Sequence, residues 1–341
     1  MALTGIGRIS LTTADADRLG SFYQQVFGFE AMEVEHHGGA SFARLTGIEG
    51  AQARALPLRL GEETIELLTF TEPGVPYPAD IGCDDLRFQH IAIVVSDMEA
   101  AYLRLCACKG WTAITRPGPQ RPPAGSGGVT AFEFRDPEGH PLELLAFPPD
   151  NVPARWREAP HKHGLCLGID HSAIVVADTA PSVAFYQQVL GFSVAGGSLN
   201  RGQQQEQLDA VPGAVVEVTA LDPGTDHPPH IELLCYRSVG PPRGAPAALR
   251  CNDIAATRLT LEVDDLPSPG APARSSACPL HLGRNRGASG SSAGSIDPRS
   301  GRPRPAPAGA LKVAQPRPRK QMRIGAVLER PPPRNVGSAS L

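Results

Sequence analysis

Three glutamates of this chain stand in the same short frame. Glu66 lies in Thr64-Ile65-Glu66-Leu67-Leu68, Glu143 in Pro141-Leu142-Glu143-Leu144-Leu145, and Glu232 in His230-Ile231-Glu232-Leu233-Leu234. Successive side chains of a strand point to opposite faces, so Leu142 and Leu144 share one face while Glu143 and Leu145 share the other. A carboxylate aimed inward among apolar neighbours needs a cation, a hydrogen-bond donor or a raised pKa. Histidine enters a similar alternation at His90, which shares a face with Ala92 and Val94. The remaining candidates are weaker. His36-His37 has no Cys or His partner at zinc-like spacing and reads as a solvated pair. His161 and His163 sit in a Lys-containing loop with no acidic neighbour, and His140 is a turn residue near the mouth of any pocket. Tyr23 and Tyr186 fall in helical stripes and read as core, and no Gly-rich phosphate loop or Ser nucleophile elbow is present.

The elements that must carry these residues repeat. Ile6 to Thr13 alternates as a strand, Asp15 and Asp17 signal a helix start, and Leu19, Phe22, Tyr23 and Val26 form an apolar stripe that stops at Gly28. Strands at Ala55 to Leu60 and Glu63 to Phe70 complete a β-α-β-β-β unit. A second unit opens near Phe88, caps its helix with Ser96-Asp97, and closes on a hairpin turned by Asp136-Pro137-Glu138-Gly139. Its Pro/Gly-rich loop, Pro117 to Gly128, is long enough to serve as a lid. A third unit, Leu167 to Tyr236, matches the first: Ala184-Phe185-Tyr186-Gln187-Gln188-Val189-Leu190-Gly191-Phe192 parallels Ser21 to Phe29. This is an internal duplication of a two-unit domain.

At 341 residues and 41% apolar content the chain suits two soluble globular domains. Met1 to Asp17 lacks the form of a signal peptide and no stretch is apolar enough to span a membrane. Seven cysteines, none at zinc-knuckle spacing, fit reduced thiols in a cytoplasmic protein. A fourth unit begins at Ile254 to Leu266 and then the pattern fails. Residues 267–341 hold 13 prolines, no aromatic residue, and 10 Leu, Ile, Val or Phe among 75 positions, too few to build a core. They carry 13 Lys+Arg against 2 Asp+Glu, while the preceding part has 19 against 33. The acidic body argues against nucleic acid as a partner. A change of reading frame explains the abrupt failure; a disordered basic arm is the other account. The expected organisation is a paired domain at 1–150, a linker at 151–163, an incomplete second domain at 164–266, and a disordered tail at 267–341.

Paired β-α-β-β-β units with a Phe-Tyr and Gly-Phe helix ending and an Asp-Pro-x-Gly-x-x-x-Glu-Leu hairpin resemble the vicinal oxygen chelate superfamily: glyoxalases, bleomycin-resistance proteins and extradiol dioxygenases. The resemblance covers residue 3 to about 266. It implies an α+β fold of tandem half-barrels, the second truncated, around a divalent metal held by the first and last strands of two units. Carried onto this chain, the first-strand positions are Arg8, His90, His171 and Arg258, and the last-strand positions are Glu66, Glu143 and Glu232. Pairing the first two units gives Glu66, His90 and Glu143 as metal ligands, with Glu66 or Glu143 doubling as the base. The ion would be zinc, nickel, manganese, iron or cobalt, polarising adjacent oxygens of a small-molecule substrate. A homodimer stays open as an assembly. The second pair, His171 and Glu232, would lack a complete site.

Arg8 stands where that family usually has Gln or His. A guanidinium cannot ligate, and at about 5 Å from a dication it would oppose binding by roughly 6 to 7 kcal/mol at an effective dielectric near 20. Three readings follow. Arg8 clamps a substrate anion beside a three-ligand metal; or it pairs with Glu66 and Glu143 in a metal-free, ligand-binding pocket; or His90 and the glutamates are merely structural. The functional expectation is a glyoxalase-like, metal-dependent lyase or isomerase. A metal-free binding protein of the bleomycin-resistance type is the alternative, and an extradiol dioxygenase is less favoured.

Overall fold

The computed structural model describes residues 2–86, 89–122, 127–158, 164–224, 229–237, 249–264, 283–284 and 320–325. The first unit contains β1 (Leu3–Thr12), α1 (Ala16–Phe27), β2 (Glu30–Ala31), β3 (Glu35–His37), α2 (Gly39–Thr46), β4 (Ala53–Leu60) and β5 (Glu63–Phe70). The second contains β6 (Gln89–Val95), α3 (Met98–Cys106), β7 (Thr112–Ala113), β8 (Thr130–Arg135) and β9 (Pro141–Ala146), followed by α4 (Ala154–Glu158). The third contains β10 (Cys166–Val175), α5 (Thr179–Phe185) running into a π-turn at Tyr186–Leu190, β11 (Ser193–Arg201), α6 (Gln203–Asp209), β12 (Val215–Asp222) and β13 (His230–Tyr236). Last come β14 (Thr257–Val263), β15 (Gly283–Arg284) and β16 (Lys320–Gly325).

Local chemistry explains the first of these turns. The Asp15 side chain accepts from the amides of Asp17 and Arg18, satisfying the open end of α1. Gly28 then leaves the helix with φ 80°, a left-handed conformation that a β-carbon would strain.

The strands assemble into two sheets. One runs β15-β16-β14-β1-β5-β4-β2, with β3 also on β4; the other runs β11-β12-β13-β10-β6-β9-β8-β7. Period-2 alternation divides each strand between two environments. Ile65, Leu67, Ile91, Ile93, Leu142 and Leu144 all enter one large shared core with the α1 aromatics Phe22, Tyr23 and Phe27. The opposite faces carry Glu66 and Leu68 in the first sheet and His90 and Glu143 in the second.

The pairing of units differs from the expectation of a self-contained 1–150 domain. β6 of the second unit pairs antiparallel with β10 of the third, and β1 of the first pairs antiparallel with β14. Each cup is thus assembled from sequence-distant or linker-separated units, and the third unit completes a sheet instead of standing half-built. Repeats with the same strand pattern present the same pairing edge, so strand sequence alone cannot choose among them. Part of the expected linker is structured: Trp156 of α4 is buried against Val94 and Leu167, and Arg155 pairs with Glu63, which also accepts from the Ile169 amide at 3.1 Å. These contacts tie the first sheet to the second. His161 and His163 lie outside the described residues. So does the tail apart from β15 and β16, whose backbones extend the first sheet beyond β14.

Candidate metal centre

Register builds the site in the second sheet. Across the antiparallel pair, Ala92 faces His171 and Ala173 faces His90. On the outer edges, Glu143 of β9 lies beside Ala92 and Glu232 of β13 beside Ala173. Lateral neighbours share a face, so two rows, Glu143-Ala92-His171 and His90-Ala173-Glu232, place two imidazoles and two carboxylates on one concave surface. The two alanines between them are fully buried and small, leaving room above the sheet.

Three of these side chains converge, and Glu232 reaches one of them. His90 Nε2 and His171 Nε2 each lie 3.4 Å from Glu143 Oε2 and 3.4 Å from one another, and His171 Nε2 lies 3.6 Å from Glu232 Oε2. A charge-assisted hydrogen bond would be about 2.7 to 2.9 Å. Donors around an ion with bonds of about 2.0 to 2.2 Å sit roughly 3 to 3.6 Å apart, which is the spacing seen. His90, Glu143 and His171 are buried, and their ligand atoms all fall within 4.8 Å of one another. The residues fit a divalent ion.

The outer contacts aim the rings. His171 Nδ1 donates to Asp170 Oδ2 at 3.0 Å, and Asp170 Oδ1 in turn accepts from the Trp156 indole at 3.1 Å. That fixes the proton on Nδ1 and turns Nε2 toward the cup. Asp170 can reach this face although it adjoins His171, because the register slips between Ile169 and His171 and leaves Asp170 as the extra residue of a bulge. His90 Nδ1 faces Glu133 Oε1 at 3.5 Å. Burial raises the Glu143 pKa, but hydrogen bonds from His171 and His90 and their charges outweigh it and hold the group at about 2. Burial lowers that of His171, yet Glu232, Asp170 and Glu143 together hold it well above the ordinary imidazole value. The cluster therefore draws positive charge, a proton where no other cation competes.

The first sheet does not contribute to this cluster. Glu66, expected to join His90 and Glu143, lies in a separate group with Glu35 and His37. Arg8 donates to Glu66 Oε1 at 3.2 Å and to Glu35 at 3.0 and 3.2 Å. Ser10 Oγ donates to Glu66 Oε2 at 2.6 Å, and His37 Nε2 lies 3.0 Å from Glu66 Oε1. Arg8 thus pairs with Glu66 as one of its readings supposed, but Glu35 takes the place assigned to Glu143. His37, read as solvated, is half-buried against a carboxylate. The reason is the unit exchange: β5 pairs with β1, and neither touches β6 or β9 in a ladder. His140 is structural, with Nδ1 2.8 Å from Asp136 Oδ2 and Nε2 2.9 Å from the Thr12 carbonyl.

Sequence reasoning also passed over Glu133 and Asp170. Glu133 was legible, since Phe132-Glu133-Phe134 alternates as Leu142-Glu143-Leu144 does and Glu133 pairs with Glu143 in register. Asp170 was not, because only a bulge brings it to the site.

The site opens into a cavity of about 380 Å³, bounded by β12, β13, α6 and the strands of the second unit. No helix among the described residues is long and apolar enough to cross a membrane.

A tandem α+β chain of paired units around a concave His/Glu cluster defines a class of protein, and sequence places it there. Residues 5–144 and 168–264 match the family model for the Glyoxalase/Bleomycin resistance protein/Dioxygenase superfamily, and the chain belongs to that family. Glyoxalase I from Zea mays is similar at 16% identity, over 69% of this chain and 68% of that one, with a TM-score of 0.44. A glyoxalase family protein from Bacillus cereus is 17% identical over 43% of this chain and 95% of its own, with a TM-score of 0.36. No curated protein matches the chain.

Proposed function

We propose that His90, Glu143, His171 and Glu232 hold one divalent metal ion and that the chain is a glyoxalase-like lyase or isomerase of a small oxygenated metabolite. The observation that carries this reading is the convergence of two Nε2 atoms and the Glu143 carboxylate at 3.4 Å in a cavity, with Glu232 reaching His171 Nε2 at 3.6 Å. When bound, such an ion polarises adjacent substrate oxygens and stabilises the negative charge that develops on them. The chain's own part is proton transfer. Glu143 sits between two imidazoles with its pKa held at about 2, so it is a fixed ligand and a poor base. The Glu232 side chain is 25% exposed, against 8% for Glu143, and approaches one imidazole of the cluster where Glu143 approaches two. Burial raises its pKa while His171 and His230 hold it below the ordinary carboxylate value, and its exposure assigns it the role of taking a proton from one substrate carbon and returning it to the next. This assignment replaces Glu66 and Glu143 as the catalytic pair. A fourth protein donor beyond two histidines and one carboxylate separates the set from the open three-ligand centre of a dioxygenase. Elemental analysis of the full chain should return one equivalent of metal, lost in His171→Ala and retained in Glu66→Gln. Turnover of the hemithioacetal that methylglyoxal forms with 2-mercaptoethanol, a thiol without a carboxylate, should follow the metal and fail in Glu232→Gln. A chain that binds no metal, or keeps it without His171, would sink the reading.

A further inference from the structure

The cavity has a second polar end, built on the third unit and untouched by the proton-transfer chemistry. Gln205 and Asp209 lie one turn apart on α6, and both are buried. Gln205 Nε2 donates to both Asp209 oxygens, at 2.8 and 3.0 Å, and Tyr236 Oη donates to Asp209 Oδ2 at 2.9 Å. Every group that holds Asp209 is neutral. Gln205 Oε1 is fully buried and has no hydrogen-bond partner among the described residues. Gln205, Asp209 and Tyr236 all line the same cavity as the His/Glu cluster. A buried carbonyl oxygen without a donor is rare in folded proteins and marks a place for one.

The charge of the walls narrows what can supply that donor. Among the described residues lining the cavity there is no Lys or Arg, while Glu133, Glu143, Asp170, Asp209 and Glu232 all face it. Burial pushes the Asp209 carboxyl up to about 7 and the Glu133 carboxyl well above the ordinary range, so the standing negative charge is that of Glu143, Asp170 and Glu232 around the His/Glu cluster. An anionic tail would find no Lys or Arg among the described lining residues, and its oxygens would meet an acceptor at Gln205 Oε1.

We propose that this cavity selects a substrate whose non-reacting end carries hydroxyl or ammonium donors and no negative charge, read by Gln205 Oε1 and the Asp209 carboxylate. The inference rests on the functional reading above for the location of the reacting end, and it names the class of substrate. The same unpartnered acceptor that favours an amine or polyol disfavours a carboxylate-bearing thiol conjugate.

The test is calorimetric binding of three chelating ligands to the full-length, metal-loaded chain: 3-aminopropanohydroxamic acid, 3-hydroxypropanohydroxamic acid and succinic monohydroxamic acid. They share one head group and differ in an ammonium, hydroxyl or carboxylate tail. The ammonium and hydroxyl ligands should each bind about tenfold or more tightly than the carboxylate ligand. The order of the first two tells whether charge or hydrogen bonding dominates. Gln205→Leu should weaken the ammonium and hydroxyl ligands and leave the carboxylate ligand where it was, closing the gap. Equal or tighter binding of the carboxylate ligand overturns the proposal, as does a Gln205→Leu chain that keeps the full ranking. Should that variant not fold, the ranking on the unaltered chain decides alone. The same three titrations into metal-free chain keep this test separate from the metal reading: a chain that takes up no metal ends the functional proposal, yet still shows or lacks the tail preference.

Discussion

The two cups follow one backbone plan and are filled by opposite means. Register makes them comparable position by position: Arg8, Ser10 and Glu66 take the places that His171, Ala173 and Glu232 hold in the other sheet, and Arg258 takes that of His90. Around the second cup two imidazoles and two carboxylates leave a demand for positive charge. Around the first, the Arg8 guanidinium meets that demand from within, bound to Glu66 and Glu35. Burial works against the charge on Arg8, but those two partners override it and hold its pKa above the ordinary value. Arg258 is turned away, donating to the Cys251 carbonyl at 2.7 Å and to Thr12 Oγ1 at 2.9 Å. The bulges match as well, yet the extra residue is Asp170 in one strand and Gly7 in the other. Gly7 brings no side chain of its own, and the Glu262 side chain lies 2.9 Å from where its β-carbon would stand. A handful of side chains on a shared frame thus separates a cup that draws positive charge from one closed by its own arginine.

The sharpest way to break this comparison is to remove the built-in cation. Arg8→Gln takes the guanidinium from the fully buried Glu66, which keeps Ser10 and His37, and metal-free stability should fall by roughly 2 to 3 kcal/mol in urea unfolding. Zinc should restore it, because Glu35, His37 and Glu66 then present ligand atoms within 4.8 Å of one another with no guanidinium among them. Metal content would rise from one equivalent to two. A variant that still takes up one, or that is as stable as its parent, would show that Arg8 does not stand in for an ion.

A smaller effect tests the bulge. Asp170→Asn keeps the shape but replaces the carboxylate that orients His171, and metal affinity should drop about 10- to 100-fold with stoichiometry unchanged. An unaltered Kd in competition with a chromophoric chelator would mean that the hydrogen bond from Nδ1 does not tune the site.

The smallest expected effect is a slope. With the His171 pKa held well above the ordinary imidazole value, the metal-free cup binds a proton that an incoming ion must displace. Affinity should therefore weaken about tenfold for each pH unit below that raised value. In the metal-free chain the sign reverses: the stability His171 contributes is complete below the ordinary imidazole pKa and is lost as pH rises through the raised one. Glu143 acts at the other end, its contribution present above the ordinary carboxylate pKa and lost as pH falls toward about 2. Flat zinc affinity between pH 6 and pH 8 would contradict the proton-displacement account.

Much of this was visible before any coordinates. The inward glutamates followed from alternation in strands such as Leu142-Glu143-Leu144, and the turn and helix ends followed from Asp15, Gly28 and Gly139, whose chemistry is local. The family resemblance carried His90, His171 and Arg8 to first-strand positions. What it could not reach were contacts made across units. Glu35 and His37 come to Glu66 only because β3 pairs with β4, and Trp156 comes to Asp170 only because α4 packs on the second sheet.

Sequence by itself determined which residues face inward, because side-chain direction in a strand is set by the backbone's two-residue period and needs no partner to define it. It also determined the duplication, since repeated residues are repeated whatever they touch. Only the tertiary structure decided which inward residues meet. Three units with the same strand pattern and the opening strand of a fourth offer interchangeable edges, and the choice among them is settled by packing and hydrogen bonding summed over whole sheets. That choice set His90 and Glu143 beside His171 and Glu232 and left Glu66 to Arg8.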